Sequence, residues 1–270
     1  MRYLKTYEDW MVPTDINLDE LIQKYNPDFK WSDTPIWRGD SYNDNPIYIT
    51  TKENLDPRKS ANTTNYSTYL FDNSPYTKDY PKRSRSAICS SSYDDARTYA
   101  GYPYDQSVYR VIPFKDTKIG VCGADDFWWS FPNITNKFNV SSISSFNDLL
   151  NNTFGIFNKS DLDDNSEELF FKDINKMLKQ IDKTPEKILY KKIEKKLGKQ
   201  YDFQIKKLYD QIRKLPKTLN GLYHLYDPKS NGLRLANNYK EFTSMDIIDT
   251  KEIWVDAGHI LVRKDIIDKF

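Results

Sequence analysis

Two cysteines, Cys89 and Cys122, and two histidines, His224 and His259, are the whole supply of either residue in 270 positions. So few thiols exclude a disulfide-framed fold and a cysteine-rich metal site. Two imidazoles leave little room for a conventional zinc centre, so no metal is expected. No strand is followed by a glycine-rich phosphate loop and a helix in a βαβ series, and the two common nucleotide folds therefore fit poorly. Long apolar runs are also missing, and none approaches the length of a membrane span. Residues 1–10 carry Arg2, Lys5, Glu8 and Asp9 where a signal peptide needs an apolar core. Finally, no charge dominates. Lys plus Arg is 40, Asp plus Glu is 39, and the formal net charge is +1, which gives no whole-protein argument for nucleic acid or membrane. A reduced, cytoplasmic setting is the expectation.

What the chain has in quantity is aromatic side chains. Twenty tyrosines, fourteen phenylalanines and six tryptophans make up 15% of it, enough to fill a sizeable core and to exclude wholesale disorder. The length suits one large domain or two small ones. Ile16, Leu18, Leu21, Ile22 and Tyr25 predict a short amphipathic helix in an N-terminal segment spanning 1–35. Strands are expected at Ile47–Thr50, Ser86–Cys89, Val108–Phe114 and Lys118–Cys122, where branched and aromatic residues suit a pleated surface. Between the first two, residues 56–85 read as a long ordered loop anchored by its aromatics. Ser92 is a candidate N-cap for a helix over 93–99.

Residues 167–217 change character. Apolar residues recur at helical spacing in three runs: Thr184-Pro185-Glu186 starts the second with a cap oxygen and a first-turn proline, Gly198 ends it, and Pro216 closes the third. Between Phe171 and Lys217 stand 15 basic and 6 acidic residues, a local charge of about +9 against about −8 elsewhere. Such a block attracts acidic protein faces or nucleic acid. It is also what a solvated helix face looks like, and its aromatics fall at buried-face positions rather than interleaving with the lysines. The C-terminal runs Glu252–Asp256 and His259–Arg263 flank Ala257-Gly258 and are expected to pair as an antiparallel hairpin.

Three separated features acquire meaning together: Trp37-Arg38-Gly39, the segment Ile88 to Tyr99, and Glu252 opening a strand. In this order they resemble the ADP-ribosyltransferase family of the arginine, serine, glutamate type. The matching positions are Arg38, Ser90-Ser91-Ser92 with Ala96 and Tyr99, and Glu252. Cys89 precedes the serine triplet, so the register of that motif is open by one residue. The position two before Glu252, acidic in arginine-modifying relatives, is Thr250. The stretch 83–113 is also similar to uncharacterised phage and large-virus proteins. The resemblance covers residues 36–125 and the last twenty, and 130–240 contributes nothing to it.

The resemblance implies an α+β fold of mixed antiparallel sheets: a transferase-like core over 36–130 and 241–270, with a mainly helical insertion at 131–240. NAD is the implied substrate, with catalytic roles for Glu252, Arg38 and Ser90. Arg38, Ser90, Ser92, Tyr93 and Tyr99 are the implied contacts to it. Each role has a physical basis. A guanidinium grips pyrophosphate oxygens with paired donors, a strand hydroxyl orients a carboxylate or ribose, and a carboxylate stabilises an oxocarbenium-like transition state. The acceptor is a protein or nucleic acid, with helices 171–217 available to dock an acidic one. The competing expectation is a non-enzymatic viral structural or host-interaction protein on the same fold, in the host cytoplasm or associated with virions.

Overall fold

A computed structural model describes residues 10–11, 17–42, 44–50, 58, 63–157, 166–247 and 250–268. In chain order the elements are β1 (Trp10–Met11), α1 (Leu18–Tyr25), β2 (Trp37–Gly39), β3 (Ile47–Thr50), α2 (Tyr66–Asp72), β4 (Ala87–Ser90), α3 (Tyr93–Thr98), β5 (Val108–Pro113) and β6 (Ile119–Val121). There follow α4 (Pro132–Phe138), α5 (Ile143–Phe157), α6 (Glu167–Lys183), α7 (Glu186–Leu197), α8 (Asp202–Arg213), α9 (Leu219–His224), β7 (Arg234–Ala236), α10 (Tyr239–Thr243), β8 (Glu252–Val255), β9 (His259–Arg263) and α11 (Lys264–Ile267). The fold is α+β. Its chain divides into a sheet unit (Met1–Arg58, Asp79–Ser130 and Gly232–Phe270) and a helical unit (Lys59–Lys78 and Phe131–Asn231).

These bounds differ from the expected ones. The sheet unit resumes at 232 where 241 was expected, the described residues 63–78 belong with the helices, and the described part of 1–35 belongs with the sheet. Helix α1 shows why. Asn17 caps it by accepting the Asp19 N–H at 3.0 Å, and Leu18, Leu21 and Ile22, spaced three and four apart, are buried in the sheet's own core.

The sheet unit holds one nine-stranded sheet, ordered β1-β3-β9-β5-β2-β4-β8-β6-β7, in which every pairing is antiparallel. Its two parts, β1-β3-β9-β5-β2 and β4-β8-β6-β7, are joined by the single register pair of Trp37 with Ser90. Strand β5 is central and buried along its full length, as an apolar strand covered on both faces must be. The C-terminal hairpin does not form. Strand β8 lies between β4 and β6, whereas β9 lies between β3 and β5. Residues 256–258 join β8 in one part to β9 in the other instead of closing a hairpin. Asp256 donates its N–H to Lys118 O, and Gly258, at φ +103°, accepts from the Phe114 N–H.

In the helical unit the apolar periodicity is realised. Helix α6 buries Phe170, Ile174, Met177, Leu178 and Ile181; α7 buries Leu189 and Ile193; α8 buries Ile205, Leu208 and Ile212. Ser166 caps α6 through the Leu169 N–H. Thr184 does not cap α7, because its hydroxyl donates back to Gln180 O. Part of the expected 56–85 loop is helix α2, and 51–57 and 59–62 lie outside the described residues. Ser67 of α2 donates to Asn147 Oδ1 at 2.5 Å and accepts from the Tyr226 hydroxyl at 2.8 Å, all three buried.

Candidate functional site

Three strands far apart in the chain, β2, β4 and β8, are neighbours in the sheet. They carry the Trp37-Arg38-Gly39 motif, the start of the serine triplet, and Glu252. Ser90 is the register partner of both Trp37 and Glu252. Side chains alternate along a strand, so Trp37, Ser90 and Glu252 stand in one row on one face. Arg38, one residue on, belongs to the other face together with Cys89. Of the three expected catalytic residues, this alternation brings Ser90 and Glu252 together and places Arg38, on the adjoining strand, on the other face.

Close packing fixes these strands. Helix α3 lies so near β2 that a Cβ on Gly39 would sit 2.0 Å from Ala96 O, which is why the motif ends in glycine. Trp37 meets Tyr93 of α3 edge to face at 5.4 Å. The serine triplet divides three tasks. Ser90 Oγ accepts the Ser92 N–H at 3.0 Å, Ser91 exchanges hydrogen bonds with the backbone of Lys251, and Ser92 caps α3 by accepting the Asp95 N–H at 3.3 Å. Trp254 lies fully buried over Gly120, where a Cβ would come within 2.1 Å of its ring, and its indole donates to Pro81 O at 3.0 Å.

Around Glu252 the sheet face is charged. Arg83 Nε and Nη2 donate to Glu252 Oε1 at 3.2 and 3.0 Å, and the Phe127 N–H donates to Oε2 at 3.4 Å. Both side chains are well covered, at 6% and 12% exposure. The guanidinium rests on the Phe127 ring, 4.2 Å from its centroid, with Trp128 at 5.5 Å. Asp126 stands beside the pair. Burial, then the neighbouring Glu252 charge, raises its carboxyl above the usual range. Tyr99 closes α3 with its ring exposed, and its phenol is raised first by partial burial and then by the carboxylates of Asp126, Glu252 and Asp95.

The opposite face is differently built. Arg38 Nε donates to Asp40 Oδ2 at 2.8 Å and Nη1 reaches Ile88 O at 3.5 Å. Burial pushes the Cys89 thiol up to about 12 against the pull of Arg38, and it pushes His259 down to about 3, assisted by Arg38. Cys89 is thus an inert buried thiol and His259 a neutral strand residue rather than a general base. Cys122 is likewise buried, its thiol raised by desolvation.

Arg83, Asp126 and the Phe127 amide are site residues that the sequence did not single out. The run Pro81-Lys82-Arg83-Ser84-Arg85 signalled only a polar loop, and its one informative cue is a basic residue followed closely by strand β4. Among the described residues no cluster of histidine, cysteine and carboxylate side chains is suited to a metal, and no helix is long and apolar enough to cross a membrane. No protein-family model, curated protein or solved structure matches the chain.

Proposed function

We propose that the sheet unit is an ADP-ribosyltransferase-type module that uses NAD as substrate, with Glu252 as its catalytic carboxylate. The observation that supports this is the direct register of Ser90 on Glu252, with the Trp37-Arg38-Gly39 strand on the other side of the serine strand. Residues 37, 90 and 252 have no local reason to meet.

In this reading Glu252 faces the nicotinamide ribose, accepts a hydrogen bond from its 2′-hydroxyl and stabilises the oxocarbenium-like carbon. The bond from C1′ to nicotinamide breaks with its electron pair leaving on nicotinamide. An acceptor lone pair forms the new bond to C1′, and the acceptor's proton passes to water. Ser90 orients the carboxylate, and Ser92 and Tyr93 line the start of α3. Arg83 shares the glutamate's face and is chemically suited to the pyrophosphate. Arg38 positions strand β2 through Asp40. The acceptor is a protein or nucleic acid, and the exposed lysines of α6 to α8 are available to an acidic one.

A second reading, a non-enzymatic viral or host-interaction protein on this fold, is favoured by one observation: both Glu252 oxygens already carry hydrogen bonds, from Arg83 and the Phe127 amide. Labelled NAD, incubated with candidate acceptors and either wild type or Glu252→Gln, separates the two. Transfer by wild type that falls about 10²- to 10³-fold in the variant supports the enzyme. Absence of NAD binding with retained fold supports the second reading.

A further inference from the structure

A stripe of polar residues runs along α5. Ser145, Asp148 and Asn152 are spaced three and four apart, so they share one side of the helix. Ser141, just before α5, continues the stripe, with its hydroxyl 2.9 Å from that of Ser145. On α8, Lys207, Leu208 and Gln211 share a side by the same spacing. The two stripes line one open cavity of about 330 Å³ inside the helical unit, with Leu149 and Leu208 as its buried apolar wall. That volume is at the small end for ligand sites, and it suits a small molecule rather than a chain segment.

Three polar groups of this cavity have no partner among the described residues. Gln211 is 9% exposed, on the side of α8 that otherwise buries Ile205, Leu208 and Ile212. Its Nε2 donates to Phe138 O at 2.9 Å, whereas its Oε1 accepts no hydrogen bond from a described residue. A covered amide oxygen without a donor costs free energy that a ligand N–H offsets. Asp148 and Lys207 are the other two. They stand on different helices at the edge of the cavity, and neither side chain pairs with the other or with any described residue. Opposite charges that line one cavity without neutralising each other suit a ligand that carries both signs. Lys196 Nζ donates to the backbone oxygen of Asn152 at 3.1 Å and to its Oδ1 at 3.5 Å, which leaves the Asn152 Nδ2 to donate to a ligand.

We propose that this cavity binds a free α-amino acid with a polar side chain. The α-ammonium donates to Gln211 Oε1 and to the Asp148 carboxylate. The α-carboxylate accepts from Lys207 and from Asn152 Nδ2. The hydroxyls of Ser141 and Ser145 meet the ligand's own amide or hydroxyl. An anion alone is repelled by Asp148 and a cation alone by Lys207, so the pair selects the zwitterion. The site lies in the helical unit and is independent of Glu252 and of NAD.

The test is calorimetric titration of the full chain with L-serine, L-asparagine and L-glutamine. Ethanolamine and propionate, each carrying one of the two charges, and glucose, carrying neither, are the rival probes. At least one of the amino acids is expected to bind with a Kd of about 1 mM or tighter, and the rival probes at least about tenfold more weakly. Asp148→Asn and Lys207→Met should each weaken that amino acid about tenfold, and Lys172→Met, on α6, should leave its affinity unchanged. All three side chains are exposed, and circular dichroism checks that each variant is folded. The proposal is overturned if none of the three amino acids reaches that affinity, if ethanolamine, propionate or glucose binds as tightly, or if either cavity variant binds like wild type.

Discussion

The sheet unit and the helical unit solve the same packing problem with contacts of opposite range. In the helical unit the helices are specified by backbone bonds and side-chain caps that close within one turn, among them Ser166 to Leu169, Thr218 to Gly221, Asn175 to Phe171 and Thr153 to Leu149. The buried junction of Ser67, Asn147 and Tyr226 is an exception. In the sheet unit the defining contacts join residues about 170 positions apart, Arg83 to Glu252 and Trp254 to Pro81. Local contacts make structure that each segment specifies for itself. Long-range contacts bring together reactive groups that no single segment contains, and the candidate chemistry accordingly lies in the sheet.

The sharpest way to break this contrast is to remove a long-range anchor. Trp254→Ala deletes a fully buried ring and its bond to Pro81, and about 4 kcal/mol of stability should be lost, read as a lower urea midpoint. Next is the Arg83–Glu252 pair. Arg83→Met leaves a covered carboxylate without its cation and should cost about 3 kcal/mol, whereas Arg83→Met with Glu252→Leu should restore most of it. A double variant as unstable as the single one would show that packing, not charge, decides.

His259 supplies a pH-dependent comparison. Its folded pKa of about 3 lies below the ordinary 6.5, so the unfolded chain takes up a proton first as pH falls. Stability from this group is complete above about pH 6.5 and drains away toward pH 3, by about 2 kcal/mol between pH 6.5 and 5. Urea midpoints of wild type should therefore fall more steeply over that range than those of His259→Leu, and parallel curves would count against a neutral buried imidazole. The smallest effect belongs to the helical unit. Ser166→Ala removes one cap from α6 and should cost about 1 kcal/mol, with faster amide exchange confined to the first turns of that helix.

The same contrast explains what the sequence discloses. Helices α6, α7 and α8 are legible because their burial repeats at three and four residues, and Gly198 at φ +90° ends α7 where a residue with a side chain would be strained. Helix α2 escapes notice because Asn65 makes no side-chain cap and Tyr66-Ser67-Thr68-Tyr69 has no helical preference. Strands β8 and β9 are legible as strands but not as partners, since alternation cannot say that three strands intervene. For the site, Ser90 and Glu252 are found from motif order, and register brings them together. Arg38 matches the motif yet faces the other way, because parity along β2 is set by α3 packing on Gly39. Arg83 belongs to no motif and is visible only once the chain has folded over β8.

Nicotinamide release by the full chain tests most directly whether Glu252 is the proposed catalytic carboxylate for NAD. Wild type should release nicotinamide. Glu252→Gln should do so at least about 100-fold more slowly, while its NAD affinity, measured by calorimetry, changes less than about threefold. Equal release from both proteins, or none from a wild type that is folded and saturated with NAD, would contradict the account.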